Sequence, residues 1–207
     1  MLGNHDRPRV ATRLGQAQAR VAAVLLLTLR GTPTLYYGDE LGLSDVGIAP
    51  SQVRDPRELR EPGLALGRDP VRTPMPWDGS EHAGFSTAKP WLPLHDDWRT
   101  RNLARMTEDP QSILTLYRRL LALRRNCPAL SIGDFALVHV HDELLVYARR
   151  HQSERLLVAL NFGKRLHRLQ LPDWARGSRL LLSTHEDAAL AEAGTLLLRS
   201  HEAVVRG

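Results

Sequence analysis

The chain has 207 residues, 43% of them apolar and 25% charged, a balance that excludes intrinsic disorder and is enough for one or two ordinary cores. Its net charge of +5 comes almost wholly from arginine, with lysine only at Lys89 and Lys164. Those cations are interspersed with acids instead of forming a stripe, and no helix-turn-helix, zinc or RNA-binding motif accompanies them, so nucleic acid is not expected as a partner.

The longest apolar run, Val21 to Leu29 broken only by Thr28, is about half of the ~20 residues that a membrane-spanning helix needs, so no membrane partner is expected. Leu2, Gly3, Asn4 and His5 follow Met1 directly, without the basic and apolar regions of a secretory signal. The single Cys127 has no partner for an internal disulfide, and the expected location is the cytoplasm.

In chain order, Leu14 to Leu29 predicts a helix that is apolar on most sides of its second half, stopped by Gly31 and Pro33. Thr34 to Tyr37 is a short β-prone run ended by Gly38, suited to a buried strand. Ser44 to Asp109 reads as one long loop that holds Trp77, Trp91 and Trp98 and most of the prolines; a loop of that length in a compact domain points to function. Ile113 to Asn126 predicts an amphipathic helix ended by Cys127-Pro128. After Ser131, short β-like segments follow: Phe135–His141, Leu144–Arg149, Leu156–Phe162, Leu166–Leu171, Arg179–Ser183 and Thr195–Val205. Their spacing predicts a small antiparallel sheet or sandwich.

Gly3-Asn4-His5-Asp6-Arg7-Pro8-Arg9, taken alone, is a turn into a helix with Asp6 as a capping carboxylate. Four further strings follow it in order: Tyr36-Tyr37-Gly38-Asp39-Glu40-Leu41-Gly42, Gly67-Arg68-Asp69-Pro70-Val71-Arg72-Thr73-Pro74-Met75-Pro76-Trp77-Asp78, Ala83-Gly84-Phe85-Ser86 and Lys89-Pro90-Trp91-Leu92-Pro93-Leu94. Together they resemble the α-glucosidase and oligo-1,6-glucosidase branch of the α-amylase superfamily, glycoside hydrolase family 13. The likeness runs through Leu120-Leu121-Ala122-Leu123-Arg124 and Val158-Ala159-Leu160-Asn161-Phe162.

The resemblance implies an α/β fold: the C-terminal quarter of a (β/α)8 barrel over residues 1–130, then a small antiparallel β domain over 131–207. Leu2–Asp6 would end strand seven, Leu14–Leu29 would be helix seven, Thr34–Tyr37 strand eight and Ser112–Asn126 helix eight. It also implies roles: Asp6 as transition-state stabiliser, His5 and Arg68 as donors to the terminal glucose, and Arg7 as an influence on linkage preference at the leaving-group side. Arg68 has a structural alternative, a salt bridge to Asp69 or Asp78, and Arg72 is expected to tie the loop through such a pair. Trp77, Phe85 and Trp91 are expected to pin the loop in preference to stacking on sugar. Asp39 and Glu40 are expected to support strand eight, and the His139/His141 pair is expected to be a solvated strand end and not a metal site.

No metal or cofactor is implied. The expected ligand is an α-glucoside of the maltose, isomaltose or sucrose type. A retaining mechanism also needs a nucleophile and an acid/base carboxylate, which the resemblance puts in a preceding part of the barrel. A missing N-terminal part and an inactive isolated chain are therefore expected. The alternatives are a piece of a trehalose synthase or sucrose isomerase type enzyme, or a noncatalytic sugar-binding relative.

Overall fold

A computed structural model describes residues 2–64, 66–185, 191–192 and 194–207. The chain divides into two compact units, Met1–Gln16 with Thr34–Thr115 and Ala17–Pro33 with Leu116–Gly207. None of the described helices is long and apolar enough to cross a membrane.

The first unit has little regular structure. Its helices are α1 (Val10–Leu14), then α2 (Gln16–Thr28), whose first residue alone belongs here, α3 (Pro56–Arg60) and α4 (Leu103–Glu108). The predicted helix from Leu14 is interrupted, because Gly15 takes φ 80° and separates α1 from α2. Leu41, Leu43, Met75 and Leu114 form a small apolar core, with Leu103 and Met106 against it.

Neither Leu2–Asp6 nor Thr34–Tyr37 is a strand, contrary to expectation. Their backbone groups bond elsewhere. The amide of Asp6 donates to Asn4, the carbonyl of His5 accepts from Arg72, that of Tyr36 from Asp39, and that of Tyr37 from Arg9. Backbone polar groups need partners, and for these four groups side chains and a turn supply them.

Among the described residues, the second unit contains the rest of α2, most of α5 (Ile113–Asn126), α6 (Pro128–Ser131) and eight strands. The carbonyl groups that end α2 lack intrahelical donors and are met by two arginines. Arg124 donates to Leu27, Leu29 and Gly31, and the fully buried Arg149 donates to Thr28 at 2.5 Å. Burial works against the charge of both guanidinium groups and lowers their pKa, yet cations at a helix C-terminus complement its dipole.

The strands are β1 (Asp134–His141), β2 (Leu144–His151), β3 (Glu154–Asn161), β4 (His167–Gln170), β5 (Leu180–Ser183), β6 (Ala191–Glu192), β7 (Thr195–Leu198) and β8 (Ala203–Arg206). They make two antiparallel sheets, ordered β1-β2-β3-β8-β5 and β4-β7-β6. Leu144, Val146, Leu157, Ala159, Leu169, Leu196 and Val204 share the core of this sandwich. Residues alternate between faces with period two, so Val158, paired with Tyr147, faces the other way. On that face the Tyr147 hydroxyl meets Thr28 of α2 at 2.5 Å. Strand β3 is consequently covered on both sides, with Leu157 to Leu160 fully buried.

The predicted strand Thr195–Val205 is two strands. Between them the amide of Glu202 donates to the carbonyl of Arg199, and His201 adopts φ 49°, which makes a turn. His139 and His141 are exposed on edge strand β1, with ring centres 6.2 Å apart, beyond an irregularity in register at Leu137 and His139.

Glu202 is fully buried, and its carboxylate accepts from the Arg199 amide and guanidinium and from Ser183. Burial raises its pKa, but the bonds from Arg199 and Ser183 outweigh this and hold the group below the usual glutamate value. A depressed carboxylate stabilises the fold above its unfolded pKa, and that contribution is lost as pH falls through the folded value. Glu202→Gln is therefore expected to lower unfolding free energy by about 2 kcal/mol at pH 7. In urea titrations the gap from the unsubstituted chain should close below about pH 4.

Candidate active site

The turn at Asn4–Asp6 sets the site. The Asn4 side chain accepts the Asp6 amide at 2.9 Å, and both His5 and Asp6 are left exposed. Asp6 does not cap the following helix, as its sequence position first suggests. The N-cap of α1 is Arg9, whose amide donates to Asp45 at 2.8 Å, so the capping acid comes from 36 residues away.

Arg9 itself is fully buried. Its Nη1 donates to the carbonyl of Tyr37 at 2.7 Å and its Nη2 to that of Val71 at 2.8 Å, while its guanidinium lies 5.1 and 4.8 Å from the ring centres of Tyr36 and Tyr37. The Tyr36 hydroxyl also donates to Val71, and that of Tyr37 to Thr73 at 2.8 Å. Burial pushes the Tyr36 phenol up to about 12, so it remains a donor. At Gly38, with φ 86°, a Cβ would lie 2.8 Å from Arg9 Nη1. Three separate segments, 9, 36–38 and 71–73, are thereby held together.

This arrangement carries Arg68 and Arg72 to Asp6. Asp6 Oδ1 lies 3.5 Å from Arg68 Nη1 and 3.4 Å from Arg72 Nη2, while Oδ2 lies 3.3 Å from His5 Nε2. Arg72 also donates to the carbonyl of His5 at 3.1 Å. The expected pairing of Arg72 within its own loop is thus replaced by contacts to both His5 and Asp6. Arg68 pairs with neither Asp69 nor Asp78; its second partner is Asp55, with Nε to Oδ2 at 2.6 Å and Nη2 to Oδ1 at 3.0 Å. Arg7 is exposed and stands outside this cluster. Contacts of 3.3–3.5 Å among half-exposed side chains are weak in energy; what they fix is which groups face one another.

Arg72 also lines a cavity of about 330 Å³ with Tyr37, Glu40, Trp77, Phe85 and Trp91. The last three were expected to pin the loop, but Trp77 and Phe85 are 47% exposed and Trp91 75%. Backbone bonds hold this segment locally: the amides of Trp77 and Asp78 both donate to the carbonyl of Ala83, and Asp78 accepts from Ser80. The chain turns there through three residues of positive φ, His82, Ala83 and Gly84. A Cβ at Gly84 would fall 2.6 Å from the Asp78 carboxylate.

Two further groups lie in the same unit. Ser44 Oγ contacts His95 Nε2 at 2.7 Å and His95 Nδ1 contacts Asp97 at 2.6 Å. This has the connectivity of a hydrolytic triad, but Asp97 is also held by Arg101, which bonds to the carbonyl of Leu41. The line fastens the 95–101 segment to the core. Asp39 is buried, and a Cβ on Gly3 would lie 3.0 Å from its Oδ2.

Residues 1–133 match the family described as alpha amylase, catalytic domain, and residues 133–205 match a domain of unknown function, DUF3459. The chain belongs to the α-amylase family. It is 31% identical to the oligo-1,6-glucosidase of Parageobacillus thermoglucosidasius, over 99% of this chain and 41% of that enzyme. It is 35% identical to Maltase A1 of Drosophila melanogaster, over 83% of this chain and 30% of the relative. Among solved structures, the trehalulose synthase MutB of Pseudomonas mesoacidophila MX-45 matches with TM-score 0.86 and 33% identity, over 99% of this chain and 42% of the enzyme. A trehalose-6-phosphate hydrolase of Bacillus licheniformis, in complex with PNG, matches with TM-score 0.84 and 31% identity, over 99% and 42%.

The chain therefore spans between 30% and 42% of the length of these relatives. Its fold is the C-terminal quarter of a (β/α)8 barrel followed by a small antiparallel β domain, in the α-glucosidase and oligo-1,6-glucosidase branch of the family.

In this α-amylase family chain, burial raises the Asp39 carboxyl to about 6, with Arg9 opposing. A raised pKa favours the fold fully below the unfolded value of about 4, and the benefit is lost as pH climbs through about 6. Replacing Asp39 by Asn should therefore raise unfolding free energy at pH 7.5, on the order of 2 kcal/mol. It should leave stability nearly unchanged at pH 4, as read from thermal or urea midpoints at the two values.

Proposed function

We propose that this chain supplies the supporting half of the active site of a retaining α-glucosidase that acts on short α-glucosides of the maltose, isomaltose or sucrose type. The observation that carries the reading is Asp6, whose one oxygen faces two guanidinium groups and whose other faces an imidazole. Barrel enzymes work at the C-terminal ends of their strands, and the resemblance puts Asp6 at that face, on a segment that makes a turn in this chain instead of a paired strand.

The chemistry fits that arrangement. Glycoside cleavage passes through an oxocarbenium-like transition state. Hydroxyl contacts from a fixed carboxylate strengthen as positive charge builds on the ring, and preorganised groups give that gain without reorganisation. In this reading Asp6 is the transition-state stabiliser. His5 and Arg68 hold hydroxyls of the same glucose, Arg72 joins them as a second guanidinium, and exposed Arg7 faces the leaving-group side. The aromatic cavity beside Arg72 suits the apolar faces of a sugar. The nucleophile and the acid/base carboxylate come from barrel segments outside these 207 residues, and the isolated chain is inactive. The barrel portion is residues 1–130, the β domain residues 131–207, and the setting cytoplasmic. No cofactor takes part.

A second reading is supported by the 33% identity to trehalulose synthase: the complete enzyme isomerises sucrose. Product analysis with sucrose separates glucose release from an isomeric disaccharide.

A chimera tests the proposal: the portion of the Parageobacillus oligo-1,6-glucosidase that this chain does not match is joined to it. The chimera should hydrolyse 4-nitrophenyl α-glucoside, and the 207-residue chain alone should not. Asp6→Ala should lower kcat of the chimera by about 10²–10³-fold, and Arg72→Met should lower kcat/KM by about 10²-fold. Turnover by the isolated chain that persists in Asp6→Ala, or a folded but inert chimera, would overturn the assignment.

A further inference from the structure

The loop from Asp55 to Asp69 is organised by carboxylates that accept backbone amides. Asp69 Oδ2 accepts the amides of Arg54 and Asp55 at 2.6 and 2.8 Å. Glu58 accepts those of Gly63, Leu66 and Gly67 at 2.9–3.0 Å. Asp55 accepts those of Arg57 and Arg68 at 3.0 and 2.8 Å, in addition to its two bonds from the Arg68 guanidinium. Each Asp55 oxygen thus accepts two hydrogen bonds. The residue is 3% exposed, whereas a third of the Arg68 side chain is open to solvent.

We infer that Asp55 is a positioning residue that aims Arg68 at the glucose site. This rests on the reading of Asp6 and Arg68 as substrate-binding residues. A guanidinium on a free arginine stem samples many rotamers, and its planar fork of donors recognises oxygen only when oriented. Asp55 takes the Nε edge and one Nη2 hydrogen and leaves Nη1 on the side of Asp6, 3.5 Å from its Oδ1.

The arrangement also divides the charge. Arg68 is neutralised from behind by Asp55, so its contribution at the site is direction. Arg72, whose only ion pair among the described residues is with Asp6, contributes the charge. Holding one end of the guanidinium also holds the loop, since the same carboxylate fixes the Arg68 amide. Side chain and backbone of Arg68 are thereby locked by one buried group.

A double-mutant cycle in the chimera tests this. Asp55→Ala should lower kcat/KM for 4-nitrophenyl α-glucoside about 100-fold when Arg68 is present. In an Arg68→Ala background it should lower it by less than about 3-fold, because nothing remains to aim. Equal losses in both backgrounds, or no loss in the first, would overturn the inference.

A second measurement is independent of catalysis and of whether the chimera is a glucosidase at all. In the ¹⁵N-arginine spectrum of the 207-residue chain, the Arg68 Nε–H should exchange slowly with solvent. It should stay protected in Asp6→Asn and lose protection in Asp55→Asn. An Arg68 Nε–H that exchanges as fast as that of exposed Arg7 in the unsubstituted chain would refute the positioning role. Slow exchange beside an inert chimera would instead keep the Asp55 hold on Arg68 and reject the glucose site as its target.

Discussion

The buried guanidinium of Arg9 is the constraint on which the first unit depends. A charge taken wholly out of water is costly unless every donor finds an oxygen. Its Nη atoms meet the carbonyls of Tyr37 and Val71, with two aromatic rings around the group, while the buried Nε has no hydrogen-bond partner. Through those two bonds Arg9 ties the Tyr37 and Val71 segments to the start of α1. The 71–73 backbone that it fixes is continuous with Arg68 and Arg72, so the geometry around Asp6 is set by a residue that never touches it.

Much of the fold was legible in the sequence because its signals are local. Helix α5 has the bounds its apolar period indicated, and the hairpin turns at Asp142 and Gln152 adopt the positive φ that tight antiparallel connections require. The errors came where a single residue overrode the surrounding pattern. Gly15 breaks a helix-prone run, and His201 folds an apolar β-prone run into two strands. Thr34–Tyr37 has strand composition, but its last two carbonyls, those of Tyr36 and Tyr37, serve a turn and Arg9.

The candidate site was legible in its membership and not in its pairing. His5, Asp6 and Arg68 stood out by the strings that contain them, and the structure brings all three together, while Arg7 stays apart. Spacing offered Asp69 or Asp78 as the partner of Arg68 and passed over Asp55, 13 residues before it, because these acids lie on one looping segment and differ only in where the backbone turns. Arg72 was assigned to loop architecture because acids stood near it in sequence; in space the nearer acid is Asp6, 66 residues away.

Strand β8 lies between β3 and β5, although it follows both in the chain. On a ribosome, the β1-β2-β3 meander can assemble as soon as it emerges, but β5 then has no neighbour to join. The sheet stays in two pieces until residues 203–206 clear the exit tunnel, and in that interval one edge of β3 is open to any extended polypeptide nearby. Synthesis of this domain is thus a race between the arrival of one four-residue segment and capture of the gap it is meant to fill.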